Sequence, residues 1–286
     1  MTSIQNVSDT ARWVAVYRAM ETARPDAIFR DPYAGRLAGD LGQQIVDEMK
    51  QGRRMAWAMI VRTAVMDEMI LDRINNHGVD TVLNLAAGLD TRAWRLALKA
   101  DLHWVDVDLP AMTEYKATRM RGETPRCRYE AIAADLTDVA IRDALFSQME
   151  SRARKMLIIT EGLLIYLAPS EVESLARAIH SMQSARWWIS DVASPMLLAW
   201  MAKSWGKALE KGNAPFKFGP ADSAAFFAPL GWNEAEFRSQ VEEAKRLHRE
   251  MQMAWFWRVF SLFMPPKRRA EMKRMSGMIL LERSGR

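Results

Sequence analysis

The chain has 286 residues, 49% of them apolar, with 40 basic and 35 acidic side chains and a formal net charge of +5. That composition supports a real core, and no run reaches the roughly 18 apolar residues needed to span a bilayer. The single cysteine, Cys127, excludes an internal disulfide and a cysteine-built zinc site within one chain, and no metal is expected; it reads as a half-buried strand residue. The whole charge excess lies in Lys267–Arg286, so no basic stripe with stacking or reading groups points to nucleic acid, and no membrane partner is expected. The opening MTSIQNVSDTARW has no basic-then-apolar leader pattern, which predicts a cytoplasmic protein.

In chain order, Val7–Glu21 predicts a helix with Ser8 or Asp9 as N-cap, ended by Arg24-Pro25. Asp31-Pro32 predicts a cap and first-turn proline for a second helix through Leu41. Arg54–Ile74 is a long amphipathic helix carrying Arg62. Val79–Leu85 then reads as a buried strand, followed by Ala86, Ala87 and Gly88, an acidic turn at Leu89-Asp90-Thr91, and a helix carrying Trp94, Leu96 and Leu98. Three more strands, Leu102–Asp108, Arg128–Ala134 and Lys155–Thr160, alternate with helices Ala111–Arg121, Ile141–Glu150 and Glu171–Met182, and Arg186–Val192 is a fifth strand. Ala193–Pro229, rich in Trp, Met and Phe, reads as a lid, with Trp200, Trp205, Phe226 and Phe227 as candidate pocket residues. Gly231–Arg238 is a short sixth strand, Val241–His248 and Met253–Phe263 are helical, Pro266–Arg274 is a solvated helix face, and Gly277–Arg283 is the last strand.

This alternation predicts an α/β fold: a doubly wound, mostly parallel, seven-stranded, Rossmann-like sheet with extra N-terminal helices and a helical lid insertion. One domain is expected, with a helical cap over 1–76, a cofactor-binding core over 77–192, the lid over 193–230 and C-terminal strands and helices over 231–286.

In an open α/β sheet the ligand lies outside the carboxyl ends of the strands, where this chain presents Gly88, Asp108, Asp135 and Glu161 on successive strands. Small side chains at Ala86–Gly88 let the backbone approach a bulky ligand. An acid ending the second strand can accept from two ribose hydroxyls, and one ending the third can accept from an adenine amine. With no Walker lysine and no glycine-rich nest, the set describes a nucleoside pocket without a phosphate site. S-adenosylmethionine is such a ligand. A nicotinamide-dependent dehydrogenase fits less well, because the three-glycine fingerprint is missing and the acid after the third strand is present.

The stretches RPDAIFRDPYAGRLAG (Arg24–Gly39), VRTAVMDEMI (Val61–Ile70), VLNLAAGLDTRAWRL (Val82–Leu96), VDVDLP (Val105–Pro110), ADL (Ala134–Leu136) and ITEGLLIYL (Ile159–Leu167) resemble the leucine carboxyl methyltransferase family of class I S-adenosylmethionine-dependent methyltransferases. The resemblance implies S-adenosylmethionine as cofactor, with Arg62 on its carboxylate and Gly88 against its methionine portion. It also implies Asp108 on the ribose with Asp106 nearby, Asp135 and the Leu136 backbone on the base, and Glu161 at the amino end. Arg92 either joins this set or pairs with a nearby acid. The implied reaction is O-methylation of a small-molecule acceptor, most simply at a carboxylate. Methylation of a protein C-terminal carboxylate and a non-catalytic S-adenosylmethionine-binding module are the alternatives.

A carboxylate acceptor is already ionised at neutral pH and needs no general base, whereas a phenol or alcohol does. Of the four histidines, only His248 is placed to be a candidate base, so no catalytic residue is assigned. Tyr17 and Tyr166 are either substrate-pocket or core residues.

Overall fold

The computed structural model describes residues 7–48, 52–211, 215–252 and 264–285, without the side chains of 7–9 and 204–211. Three helices, α1 (Val7–Thr22), α2 (Ala34–Glu48) and α3 (Ala56–Asn76), precede the first strand. Helix α1 already includes Ser8 and Asp9, whose side chains lie outside the described residues. Helix α2 does not stop at Leu41. It bends at Gly39, where φ is +59° and ψ −175°, and runs on to Glu48. Only glycine takes that backbone cheaply, so the break expected from sequence becomes a kink within a longer helix.

The sheet follows as β1 (Thr81–Leu85), β2 (His103–Asp108), β3 (Arg128–Ala133), β4 (Met156–Thr160), β5 (Ala185–Ala193), β6 (Trp232–Ser239) and β7 (Ser276–Arg283). Its order is β3-β2-β1-β4-β5-β7-β6. Strands β1 to β5 are parallel, and β7 lies antiparallel between β5 and β6. The seven-stranded, mostly parallel sheet predicted from sequence is therefore present. Strands β1 and β4 are buried along their whole length, which explains why apolar residues dominate both; Asn84, the polar residue inside β1, donates to Asp106.

Between strands lie α4 (Arg92–Arg95), α5 (Pro110–Arg119), α6 (Val139–Glu150) and α7 (Pro169–Ser181); α8 (Pro195–Lys211), α9 (Ser223–Phe227), α10 (Gln240–Arg246) and α11 (Pro266–Lys273) complete the described helices. The helix expected over Met253–Phe263 lies outside the described residues. Successive strand side chains enter opposite cores, as the two-residue period of a strand requires. Val82, Trp104 and Leu157 pack with α1, α2 and α3, whereas Leu83, Val105 and Ile158 pack with α6 and α7.

Helix α4 corrects the sequence reading. Trp94, Leu96 and Leu98 recur every second residue, a spacing that suits extended chain better than helix. The chain makes one turn and then extends at Leu96 (φ −78°, ψ 154°). Arg92 and Arg95 turn inward, leaving no solvated face on which a longer helix could sit. No helix among the described residues is long and apolar enough to cross a membrane.

Because β1 and β4 are neighbours while the chain leaves β1 toward β2, the strand order reverses between them. That switch point opens a crevice at their carboxyl ends.

Candidate active site

The crevice begins with the residues after β1. Ala86 and Gly88 both take left-handed backbone, with φ of 52° and 51°. The Ala87 N–H donates to the Val107 carbonyl at 3.1 Å, which ties the loop to β2. The Gly88 N–H donates to Asp108 Oδ2 at 2.6 Å. A β-carbon on Gly88 would meet the Ala11 methyl of α1 at 3.1 Å, so glycine lets the helical cap close over the loop. Left-handed backbone costs an L-residue roughly 1–2 kcal/mol, and alanine is the smallest side chain that bears it. Ala86→Gly is expected to leave stability within about 1 kcal/mol, strain relief offsetting the added freedom of the unfolded chain. Ala86→Val is expected to cost roughly 1–3 kcal/mol, since a β-branched side chain strongly resists that backbone. Urea midpoints of the two variants check the pair.

Asp108 closes β2 beside this loop, its Oδ1 accepting from the Leu109 N–H at 2.7 Å. Burial pushes its pKa up, against the two backbone N–H groups that favour the charged form. Asp106, two residues earlier, turns into the core instead. It accepts from Lys116 Nζ (2.5 Å), Trp104 Nε1 (2.8 Å), Asn84 Nδ2 (3.0 Å) and the Tyr129 hydroxyl (3.0 Å), so it braces β2 from behind. Asp135 follows β3 and is exposed; the Thr137 hydroxyl and N–H donate to it at 2.7 and 2.9 Å and hold its pKa below the usual range. Half-buried Leu136 adjoins it, and both line the crevice together with Asp108 and Ala86–Gly88.

Glu161, after β4, is held by two arginines. Arg62 Nε donates to Oε1 at 2.9 Å and Arg92 Nη1 to Oε2 at 2.7 Å. Burial would raise the Glu161 pKa, but the Arg92 and Arg62 charges outweigh it and hold it at about 2. Arg62 Nη1 also donates to Asp191 Oδ2 at 3.1 Å, and Asp191 Oδ1 accepts the Gly162 N–H at 2.6 Å. Arg92 is buried and in addition meets Asp67 and Asp90, each at 2.6 Å. Of its two readings, pairing with nearby acids is the one observed. The chain of charges continues through Arg95 and Asp67 (2.5 Å) and ends at Asp31, which takes Arg18 at 2.8 Å and the Thr91 hydroxyl at 2.7 Å. Arg18 also donates to the Leu89 carbonyl at 2.6 Å, fastening α1 to the loop after β1.

Asp67, Asp90 and Asp191 escape a sequence reading focused on strand ends. Asp67 did leave a signal, as a carboxylate on the apolar face of α3 five residues after Arg62. Asp191 is interior to β5 and left none.

The loop after β1 and the strand-end acids border one cavity of about 1590 Å³, whereas Asp31, Asp67 and Asp106 stand behind its lining. Arg62, Ala86, Gly88, Asp108, Asp135, Leu136, Glu161, Tyr17 and Tyr166 all line it. The Tyr17 hydroxyl donates to the Gly52 carbonyl at 2.7 Å, and burial pushes its pKa up to about 12. Tyr166 packs against Phe216 with ring centres 5.6 Å apart and shares a hydrogen bond with Thr10; burial raises its pKa too. Among the lid candidates, Trp200 lines the cavity, whereas the side chain of Trp205 lies outside the described residues. Phe226 and Phe227 do not line it. They pack with Trp188 and Phe218 in the core on the far side of the sheet, because α9 leads directly into edge strand β6. None of the four histidines lines the cavity. His77 lies against Trp187, His103 contacts Glu130, His180 packs on Trp232 and His248 is exposed, so His248 is not placed as a base. Cys127 is buried just before β3, its thiol pKa pushed up to about 11 by burial, and is inert packing.

The family model for leucine carboxyl methyltransferase matches residues 11–180. The chain is 36% identical over 185 residues to a Mycolicibacterium smegmatis protein and 37% identical over 180 residues to a Streptomyces coelicolor protein. Both relatives are provisionally named S-adenosyl-L-methionine-dependent methyltransferases. Each match covers 59% of this chain, and it spans only 60% and 63% of those relatives' own lengths. Among solved structures, a Thermobifida fusca protein provisionally named a methyltransferase superposes with a TM-score of 0.57 at 15% identity, over 99% of this chain and 96% of that one. A DUF574-family protein from Streptomyces avermitilis also reaches 0.57, at 10% identity over 94% and 96% of the two chains. At such identities the likeness is one of fold.

Proposed function

The chain belongs to the leucine carboxyl methyltransferase family, and from that premise we propose that it is an S-adenosylmethionine-dependent O-methyltransferase acting on a carboxylate of a small-molecule acceptor. The observation carrying this reading is that Ala86–Gly88, Asp108, Asp135 and Glu161 converge on one cavity. These residues fit the cofactor. Asp108 would accept from the vicinal ribose hydroxyls, Asp135 from the adenine amine, and the Leu136 backbone would meet the base edge. Arg62 Nε and Nη1 are taken by Glu161 and Asp191, which leaves Nη2 to meet the amino-acid carboxylate. Charge agrees as well. At the strand ends the lining holds Arg18, Arg62, Arg92 and Arg95 with Asp90, Asp108, Asp135, Glu161 and Asp191, so this end carries one more carboxylate than guanidiniums and suits a ligand of net positive charge.

When bound, S-adenosylmethionine supplies a methyl group already activated on a sulfonium. The protein's task is then to orient the acceptor oxygen and exclude water. Among the described residues, the cavity's tyrosines, its histidine-free lining and Glu161 offer no evident base for a phenol or alcohol. The tyrosine pKa values are raised, Glu161 is pinned between two arginines, and the histidines lie elsewhere. An acceptor carboxylate needs no such base, and this supports the carboxylate over a hydroxyl.

Calorimetric titration with S-adenosylhomocysteine, NAD and NADP tests the cofactor. Micromolar binding of the homocysteine compound alone is expected, and dinucleotide binding in its place would overturn the reading. Treating labelled product with alkali then separates the acceptors, because a methyl ester releases methanol and a methyl ether does not.

A further inference from the structure

The cavity is electrically polarised, and its outer end has a use that the cofactor does not explain. Its volume of about 1590 Å³ exceeds the roughly 300–1,000 Å³ that a single small ligand occupies. Beyond the strand ends the lining is apolar and adaptable, with Met59, Met196, Trp200, Phe216, Met272 and Met275 among its members. Further out the lining becomes basic. Exposed Lys217, Lys245, Arg268 and Arg269 all border the cavity.

The solvated helix face expected over Pro266–Arg274 is present as α11, and it is seated at the edge of the cavity. Its C-terminal end is anchored. Lys273 pairs with Glu242 of α10 at 2.6 Å, and just past α11 the Met275 carbonyl accepts the Ser194 N–H at 2.8 Å. Lys217 is fixed through its backbone, whose N–H donates to the Ile165 carbonyl at 2.7 Å. Lys273 and Arg274 have acidic partners, the latter Glu234 at 2.6 Å. Lys217, Lys245, Arg268 and Arg269 have no ion pair among the described residues. The carboxylates sharing this edge are Glu242, taken by Lys273, Glu171, which accepts the Ala168 N–H, and Glu250 and Glu271. Counting Lys273, the entrance carries five cations against four carboxylates among the described residues, whereas the lining at the strand ends carries five carboxylates against four guanidiniums, so the two ends of the cavity differ in sign.

We propose that the methyl acceptor is an elongated apolar molecule bearing a second, anionic group remote from the methylated oxygen, and that Lys217, Lys245, Arg268 and Arg269 hold that group at the solvent edge. The proposal rests on the methyltransfer reading above and names the acceptor class for the same cavity. The apolar body fills the methionine-rich chamber. The distal anion stays hydrated at the rim, where ion pairing costs little desolvation, and so sets which end of the molecule enters first.

Three probes of equal chain length test it: dodecyl phosphate, dodecanol and dodecyltrimethylammonium, titrated below their aggregation concentrations into protein loaded with S-adenosylhomocysteine. Dodecyl phosphate is expected to bind about tenfold or more tighter than dodecanol, with the ammonium weakest. The double variant Arg268→Glu/Arg269→Glu is expected to remove that preference, as is raised salt, while S-adenosylhomocysteine and dodecanol affinities stay unchanged. Equal affinity for the three probes, or a preference that survives in the variant, would overturn the proposal. Binding to anionic phosphatidylglycerol vesicles with no binding of monomeric dodecyl phosphate would also overturn it, in favour of a membrane surface. Failure of S-adenosylhomocysteine to bind would instead strike the methyltransfer reading, and the same probes titrated into unloaded protein would still report on the rim.

Discussion

Replacing Asp108 with alanine is expected to weaken S-adenosylhomocysteine binding by at least about a hundredfold while leaving the protein folded. Two ribose hydroxyls donating to one carboxylate are charge-assisted bonds worth roughly 1.5–3 kcal/mol each, so their joint loss spans about two to four decades of affinity. Folding should hardly notice. Asp108 does accept the Gly88 and Leu109 N–H groups, and losing them has a cost. Yet burial raises its pKa above the unfolded value, so the ionised side chain already counts against stability at neutral pH, and truncation removes that penalty. Calorimetric titration alongside a thermal melt measures both quantities. Undiminished affinity would mean that the ligand lies elsewhere, and a collapsed melt would make Asp108 a structural residue. Asp108→Asn keeps an acceptor oxygen for the loop and should lose less affinity.

The second large effect is on stability. Arg92→Leu is expected to destabilise the fold by about 3–5 kcal/mol, read from a urea midpoint, because it leaves Asp67, Asp90 and Glu161 buried without the guanidinium that joins them. Arg92→Lys should recover only part of this, since an ammonium cannot reach three carboxylates from a planar fork. The effect carries a pH signature. Glu161 has a folded pKa of about 2 against an ordinary 4.5, so its contribution is complete above pH 4.5 and is lost as the pH falls toward 2. Asp90 is depressed too; burial opposes this, and the Arg92 and Lys116 charges outweigh it. The gap between parent and Arg92→Leu should therefore narrow below pH 4.5. A gap that stays constant down to pH 2 would show that Arg92 acts by packing and not by charge.

Position and partner separate the site residues that a sequence reading reaches from those that it misses. Gly88, Asp108, Asp135 and Glu161 are legible because each directly follows a strand, and strand ends can be read from local apolar runs. Arg62 is legible only through the family motif, since nothing in α3 taken alone distinguishes it from other arginines. Its pairing with Asp191, across 129 positions, has no local trace. The cationic rim was not legible for a related reason. Pro266–Arg274 reads as a solvated face on any helical wheel, and solvated it is, but which cavity it borders depends on how α11 seats against α10 and the start of α8. Phe226 and Phe227 went astray because aromatic content does not say which face of the sheet an insertion covers.

The sequence by itself determined the alternation of strands and helices, the sites where strands stop and the acids at those stops, because apolar periodicity, turn residues and caps act within a few positions of the chain. Tertiary structure alone decided which charge meets which. An ion pair forms wherever two side chains come within about 4 Å, and the order β3-β2-β1-β4-β5-β7-β6 brings together residues as far apart as Arg62, Glu161 and Asp191. Strand order also set the polarity of the cavity. Apart from Asp191, its deep acids end or follow parallel strands, and three of the four outer cations unpaired among the described residues come from α10 and α11, which lie along the antiparallel edge at β6 and β7.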